Sequence, residues 1–401
     1  MSTFHLGLAL DGAGWHPAAW REPDARPRDL LTAGYWLDQV RVAQGALADL
    51  VTLEDSFAVQ STDPFAPDDR LDQVRGRLDA ELIAARLAPV TEGIGLVPTV
   101  TVTHTEPFHV SKALATLDWT SRGRAGWQVR VSGGPYQAGL FGRRDFPEIP
   151  LPFDLDDPVL AAHVAETFEE AADVVEAVRR LWDSWEDDAE IRDVATQRFI
   201  DRDKVHRIDY ESRFFSVRGP SITPRSPQGQ PVVTALAHAR IPYELAARSA
   251  DVVFVTPFDD ADAHRILGEV RDAETRVGRR GEPLQVWADV VVVLDAGGET
   301  GEARRARLDE AAGTVWTTDT GIYAGSAAAI ADRVEAWRDL GYAGVRLRPA
   351  TIPGDLTAIA RDLVPELRRR GLARDAYDAP TLRGLLGLPT SVPSRYAAAR
   401  A

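Results

Sequence analysis

Short apolar runs alternate with amphipathic stretches of helical spacing along most of the 401-residue sequence. Strand-length runs separated by helices predict a parallel sheet, because each parallel neighbour requires a crossover connection. Close to eight such units favour a closed (β/α)8 barrel over an open sheet. We therefore predict an α/β TIM barrel with strands over residues 4–10, 51–53, 93–102, 125–132, 231–236, 251–255, 287–294 and 344–347. The predicted helices cover residues 35–50, 78–87, 107–119, 160–185, 243–249, 261–277, 326–340 and 356–370.

Two stretches interrupt the alternation. Residues 187–230 are polar and contain prolines, which is typical of an insertion, and residues 375–401 form a tail with turn residues. Because α/β barrels often exceed the usual domain length, we predict a single domain over residues 1–401 that carries this insertion and this tail.

The charge balance excludes several classes of partner. The chain has 61 acidic and 46 basic residues and a formal net charge of −15, whereas nucleic acids and anionic membranes attract clustered basic residues. It contains no cysteine, so disulfides and thiolate chemistry are excluded. The first residues lack a basic region ahead of an apolar core, and no apolar stretch is long enough to span a membrane. We expect a soluble, cytoplasmic protein.

Common catalytic motifs are absent from the sequence. The Asp-Gly-Ala-Gly-Trp-His segment after the first strand lacks the third glycine of a dinucleotide fingerprint. No P-loop, nucleophile-elbow serine or zincin motif is present. The eight histidines include no pair four residues apart beside a glutamate, so we predict no metal site.

Polar side chains follow several predicted strands, where a barrel gathers its substrate-binding residues. A single strand-end aspartate is more often a helix cap than a functional group, but four strand ends carry such groups here. They are Asp11 and His16 after the first strand, Glu54 and Asp55 after the second, Thr99, Thr101 and Thr103 on the third, and Gln128 and Ser132 on the fourth.

Three long blocks resemble one enzyme family. Residues 95–132 contain the sequence Gly-Arg-Ala-Gly-Trp, residues 181–233 contain Ser-Pro-Gln-Gly, and residues 381–389 read TLRGLLGLP. Together with the region around residues 35–44, these blocks resemble the luciferase-like flavin-dependent monooxygenases. The resemblance is strongest to the branch with nitrilotriacetate, dibenzothiophene-sulfone and pristinamycin-type monooxygenases.

This resemblance implies a (β/α)8 barrel with insertions, of the bacterial luciferase-like type. It also implies reduced FMN, supplied by a separate NAD(P)H-dependent flavin reductase, which reacts with O2 to oxygenate a small organic substrate. We further expect a homo-oligomer.

The family's flavin-site residues map onto this chain unevenly. Asp55 matches an aspartate of strand two that lies near the flavin, and Thr101 falls in the hydroxyl-rich segment of strand three. Gln128 stands where the family has an asparagine that contacts the isoalloxazine, and Ser132 matches. In the implied barrel, the turn at residues 122–124 lies at the bottom and sets the entry angle of strand four.

The phosphate end of the implied flavin site departs from the family. In the family, a Gln-Ala-Gly-x-Ser-x-x-Gly segment binds the FMN phosphate. Residues 235–242 lack that serine and both glycines, and Pro242 cannot donate a hydrogen bond. His238 and Arg240, near the start of a predicted helix, are our predicted phosphate contacts. We therefore expect weak FMN binding.

His16 is the candidate proton donor near the reactive carbon of the flavin, although a loop histidine without a catalytic role is an alternative. Two other functions remain open. One is hydride transfer with a deazaflavin or a flavin and without O2, and the other is a non-catalytic ligand-binding barrel that has lost flavin affinity. The identity of the cofactor that co-purifies and the consumption of O2 discriminate between the two enzyme functions. Flavin titration discriminates both of them from the ligand-binding barrel.

Overall fold

A computed structural model of the chain describes residues 4–63, 66–149 and 156–397. Its strands are β1 (His5–Leu10), β2 (Leu50–Leu53), β3 (Gly95–Thr101), β4 (Gly126–Arg130), β5 (Glu190–Asp193), β6 (Arg198–Ile200), β7 (Tyr210–Glu211), β8 (Ser216–Val217), β9 (Val232–Ala237), β10 (Val252–Val255), β11 (Gln285–Leu294), β12 (Ile322–Gly325) and β13 (Gly344–Pro349). Its α-helices are α1 (Ala33–Gly45), α2 (Ala80–Leu87), α3 (Pro107–Ser121), α4 (Pro135–Phe141), α5 (Pro158–Asp183), α6 (Arg240–Ser249), α7 (Asp260–Val277), α8 (Gly301–Ala312), α9 (Ala327–Leu340), α10 (Gly354–Ala358), α11 (Val364–Arg369) and α12 (Leu382–Leu385).

Parallel pairing closes eight of these strands into a barrel. The order around the barrel is β1, β2, β3, β4, β9, β10, β11 and β13, and β13 pairs back onto β1. Val, Leu and Ala fill most of the strand positions and are buried, as expected where helices cover the outside of a parallel sheet. The predicted α/β TIM barrel is confirmed.

One strand–helix unit, α8 with β12, is missing from the sequence prediction. Leu308 is the single large apolar side chain of α8, and three of the four residues of β12 are only partly buried. Neither element therefore has the apolar pattern that identifies a core-facing helix or a barrel strand. β12 pairs with the far end of β11, where Val291 lies opposite Ile322.

The segment between α5 and β9 contains two antiparallel hairpins, β5–β6 and β7–β8. In the described parts of the chain, no helix is both apolar enough and long enough to cross a membrane.

The turn at residues 122–124 lies where β4 enters the barrel, as expected. Arg122 ends α3 in the left-handed conformation, with φ of 58°. The guanidinium of Arg124 donates hydrogen bonds of 2.8 Å to three backbone carbonyls between α2 and β3, those of Ala88, Thr91 and Ile94. These bonds fix the position of the chain as it enters β4.

The C-terminal tail closes this end of the barrel. Leu382 of α12 is fully buried in an apolar cluster inside the barrel strands. Gly126 makes room for it, because a Cβ at that position would lie 3.1 Å from Leu382 and 2.8 Å from Val97. The next residue, Trp127, faces outward and contacts Trp182 of α5 edge to face, with ring centroids 6.3 Å apart. The two residues face opposite sides of the wall, as predicted.

We predict that Leu382→Ala lowers the free energy of unfolding by about 2–5 kcal/mol, because it leaves a cavity among rigid strands. Leu71→Ala is the matched control, since Leu71 is 96% exposed and should change stability by less than about 0.5 kcal/mol. Urea-induced unfolding of both variants measures the difference. Equal stability of the two variants would show that the tail does not support the barrel.

Candidate functional site

A buried charge network lies within the barrel toward the carboxyl ends of its strands. Asp289 of β11 sits between Arg346 and Arg348 of β13, and none of the three side chains is more than 1% exposed. Arg346 donates to the carboxylate at 2.8 and 2.6 Å, and Arg348 donates to it from Nε at 3.0 Å. Burial acts to raise the pKa of Asp289, but the two guanidinium groups outweigh it and lower that pKa.

The network continues across the barrel to β2 and β4. Arg346 Nη1 donates to Glu54 at 3.1 Å and also to the side-chain oxygen of Gln128. The Gln128 amide nitrogen donates to Thr99 at 3.0 Å and to Glu54 at 3.2 Å. Both ends of the Gln128 side chain are therefore engaged by other protein groups.

On its other side, the network reaches Asp319, which precedes β12. Arg348 Nη1 donates to Asp319 at 2.6 Å, and the Arg348 guanidinium lies 4.5 Å from the ring centroid of Trp15. Burial acts to raise the pKa of Asp319, but the charge of Arg348 dominates and lowers it. The network thus connects five barrel strands, β2, β3, β4, β11 and β13, and the segment before β12.

A cavity of about 730 Å³ opens beside Trp15, which is part of its wall. Its wall comes from the turn after β1, the loop after β2, the end of β4 and the segment between α8 and β12. Three of the polar residues that the sequence places at strand ends, Asp11, His16 and Ser132, line it. The C-terminal face of the barrel therefore carries an open site of cofactor size.

His16 is held by the protein at both ring nitrogens. Nδ1 accepts from the backbone N–H of Ala18 at 3.1 Å, which leaves the proton on Nε2, 3.0 Å from Asp309. The ring also contacts Trp316 edge to face, at 4.9 Å between centroids. Burial lowers the pKa of His16, although Asp309 acts in the opposite direction. Burial thus favours the neutral form of the His16 imidazole.

Asp55 and Thr101 do not line this cavity. Asp55 accepts hydrogen bonds from the backbone N–H groups of Ser56 at 2.7 Å and Ala80 at 2.9 Å, so it holds the start of α2. Burial raises its pKa. Thr101 is buried at the end of β3, where it lies opposite Arg130 of β4.

His238 lines a second, more open cavity of about 620 Å³. Its Nδ1 lies 2.8 Å from the hydroxyl of Thr256, and burial lowers its pKa. Arg240 is the first residue of α6, is 65% exposed and pairs with Glu244 at 3.2 Å. The predicted flavin-site residues are thus distributed over two cavities, the barrel interior and the start of α6.

The model of the luciferase-like monooxygenase family matches residues 32–317. This chain belongs to that family. Nitrilotriacetate monooxygenase component A from Aminobacter aminovorans is 28% identical, and the alignment covers 96% of each chain. The resemblance to the branch with the nitrilotriacetate monooxygenases is thereby confirmed.

Two solved structures show the same fold. The long-chain alkane monooxygenase LadA has a TM-score of 0.84 at 22% identity, over 100% of this chain and 99% of that one. Riboflavin lyase RcaE, whose structure holds a modified FMN and the substrate riboflavin, has a TM-score of 0.79 at 24% identity, over 96% of each chain.

The cations and amides of the larger cavity were not among the predicted site residues. Arg77 and Arg130 line it, together with Gln60, Gln73 and Gln137. Arg130 could have been predicted from the sequence, because Gln128, Arg130 and Ser132 are at alternate positions along one strand and so share a face. The residues on the loop after β2 carry no periodic signal.

We predict that Asp289→Asn lowers the free energy of unfolding by about 3–5 kcal/mol, because two buried guanidinium groups lose their shared counter-charge. Asp362→Asn is the control, since Asp362 forms an ion pair with Arg361, which is 64% exposed, and such surface pairs contribute about 0–1 kcal/mol. Chemical denaturation at one pH gives both values. A loss for Asp289→Asn no larger than for the control would contradict the structural role of the network.

Proposed function

We propose that this luciferase-like monooxygenase uses reduced FMN and O2 to oxygenate a small organic substrate. The observation that supports this most is the cavity of about 730 Å³ at the carboxyl ends of the barrel strands. Family membership supports a monooxygenase, and the relative named component A supports a division of labour with a second protein.

The cavity wall suits a flat, polar ring system such as an isoalloxazine. Three buried side-chain atoms of cavity-lining amides have no hydrogen-bond partner among the described residues: Oε1 of Gln60, Nε2 of Gln73 and Oε1 of Gln137. One donor and two acceptors match a ring edge that carries both kinds of group. We assign these three amides to holding the flavin, which when bound supplies the chemistry that activates O2.

The other predicted residues would act around that ring. The charge network fixes the carboxyl ends of the strands, and Trp15 and Trp316 provide apolar wall that limits water. His16 holds a proton at Nε2 in a bond to Asp309, and we propose it as the proton donor of the site. Ser132 at the cavity wall is a further flavin contact.

The phosphate of FMN has the weakest support. Helix α6 starts at Arg240 and has no side-chain cap, and the second cavity carries three carboxylates, those of Asp259, Asp262 and Asp319. Because exposed helix pairs contribute only about 0.3–0.5 kcal/mol, the pair with Glu244 leaves Arg240 available to a phosphate. We propose that Arg240 and His238 contact it and that FMN binds weakly.

The activity test supplies reduced FMN from an NAD(P)H-dependent flavin reductase and measures oxygenated product with ¹⁸O₂ across a panel of small organic compounds. We expect ¹⁸O in a product that requires both proteins, and no sustained NADH oxidation by this chain with FMN alone. Substrate oxidation or reduction that proceeds without O2 would instead indicate the hydride-transfer alternative. Failure to bind any flavin would indicate a ligand-binding barrel.

We predict that Arg240→Ala weakens FMN binding about tenfold, since one charge-assisted contact contributes about 1.5–3 kcal/mol. Riboflavin, which has no phosphate, should bind both proteins equally. Fluorescence titration of each flavin measures the two affinities. If FMN and riboflavin respond alike, Arg240 does not bind the phosphate.

A further inference from the structure

Arg130 is a cation that faces the larger cavity from the end of β4. Its β3 neighbour is Thr101, two pairs beyond Thr99 and Gln128, so it points to the same side of the wall as the Gln128 amide. The side chain is exposed to the cavity that it lines. Across residues 4–63, 66–149 and 156–397, its guanidinium has no hydrogen bond and no ion pair.

The carboxylates near Arg130 already have partners of their own. Asp11, Glu54 and Asp55 are its acidic electrostatic neighbours. Asp11 accepts from Arg77 at 2.9 Å, and Glu54 accepts from Arg346 at 3.1 Å. Asp55 accepts two backbone N–H groups. Arg130 is therefore the cation of this group to which no carboxylate of the described residues is directly hydrogen-bonded.

Arg77 provides a second, partly used donor set on the same cavity wall. Its Nη1 is bonded to Asp11, whereas its buried Nε has no hydrogen-bond partner among the described residues. Burial raises the pKa of Asp11, with Arg77 opposing it, so burial weakens the anionic competitor for Arg77. Arg77 and Arg130 thus line one cavity, and each guanidinium has N–H donors without a partner among the described residues.

We propose that Arg130, supported by Arg77, binds a carboxylate group of the substrate, so that the enzyme acts on organic acids. A planar guanidinium matches a carboxylate with two parallel hydrogen bonds. The nearby acidic groups favour a single negative charge over the near-dianion of a phosphate, because like charges repel. This proposal rests on the proposed function, since it names the substrate class of that same cavity.

Direct binding tests the proposal without any flavin. The probes are succinate and its neutral analogue succinamide, titrated calorimetrically into the flavin-free protein, into Arg130→Gln and into Arg361→Gln as the charge-matched control. Arg361 is 64% exposed and pairs with Asp362. We expect succinate to bind wild type and control equally, Arg130→Gln to bind it at least tenfold more weakly, and succinamide to bind none of them.

Equal binding of succinate by Arg130→Gln and wild type would overturn the proposal, as would equal binding of succinamide and succinate, or no succinate binding at all. The flavin phosphate is the rival anion for Arg130. If Arg130→Gln weakens FMN but not riboflavin, Arg130 holds the flavin phosphate, and the assignment to substrate is wrong.

The two hypotheses can fail separately. If Arg130→Gln loses succinate binding and the wild-type protein binds no flavin, the proposed anion site is supported and the proposed monooxygenase function is refuted. If Arg130→Gln oxygenates every acid in the substrate panel as the wild type does, the proposed monooxygenase function is supported and the proposed anion site is refuted.

Discussion

The ion pairs between Asp289 and the two arginines of β13 are the interaction on which the site depends. Buried charges are costly unless each is paired and hydrogen-bonded, and here one carboxylate accepts from both Arg346 and Arg348. Arg346 extends these contacts to Glu54, which directly follows β2, and to Gln128 of β4. A single network thus sets the relative positions of the strand ends beside the cavity.

The same network determines which polar side chains remain available to ligands. Gln128 uses both ends of its amide within the protein, so a flavin contact from it would require breaking a buried bond. Arg130, two residues further along β4, extends past the network into the cavity. Gln60 and Gln73 on the loop after β2 and Gln137 of α4 carry the amide atoms that have no hydrogen-bond partner among the described residues. The groups left available to a ligand therefore lie on the loop after β2, on α4 and at the last residue of β4, above the buried network.

The barrel could be predicted from the sequence because its strands are apolar on both faces and its helices have regular spacing. The α8–β12 unit could not, since its apolar content is low. The cavity was only partly predictable. His16 and Ser132 lie next to strand ends, where topology brings side chains together, whereas Arg77 and Gln73 lie on a loop without periodicity. Asp55 shows the reverse case, because a strand-end carboxylate proved to hold the start of a helix.

The crystal structure of the chain soaked with FMN tests the central claim most directly, because the flavin's position in electron density shows which residues hold it. We predict the isoalloxazine in the cavity of about 730 Å³, against Gln60, Gln73 and Gln137, with its phosphate toward His238 and Arg240. The Asp289 network should be unchanged beneath it, and Arg130 should remain free of the flavin. An isoalloxazine in the second cavity, or a phosphate bound to Arg130, would contradict this account.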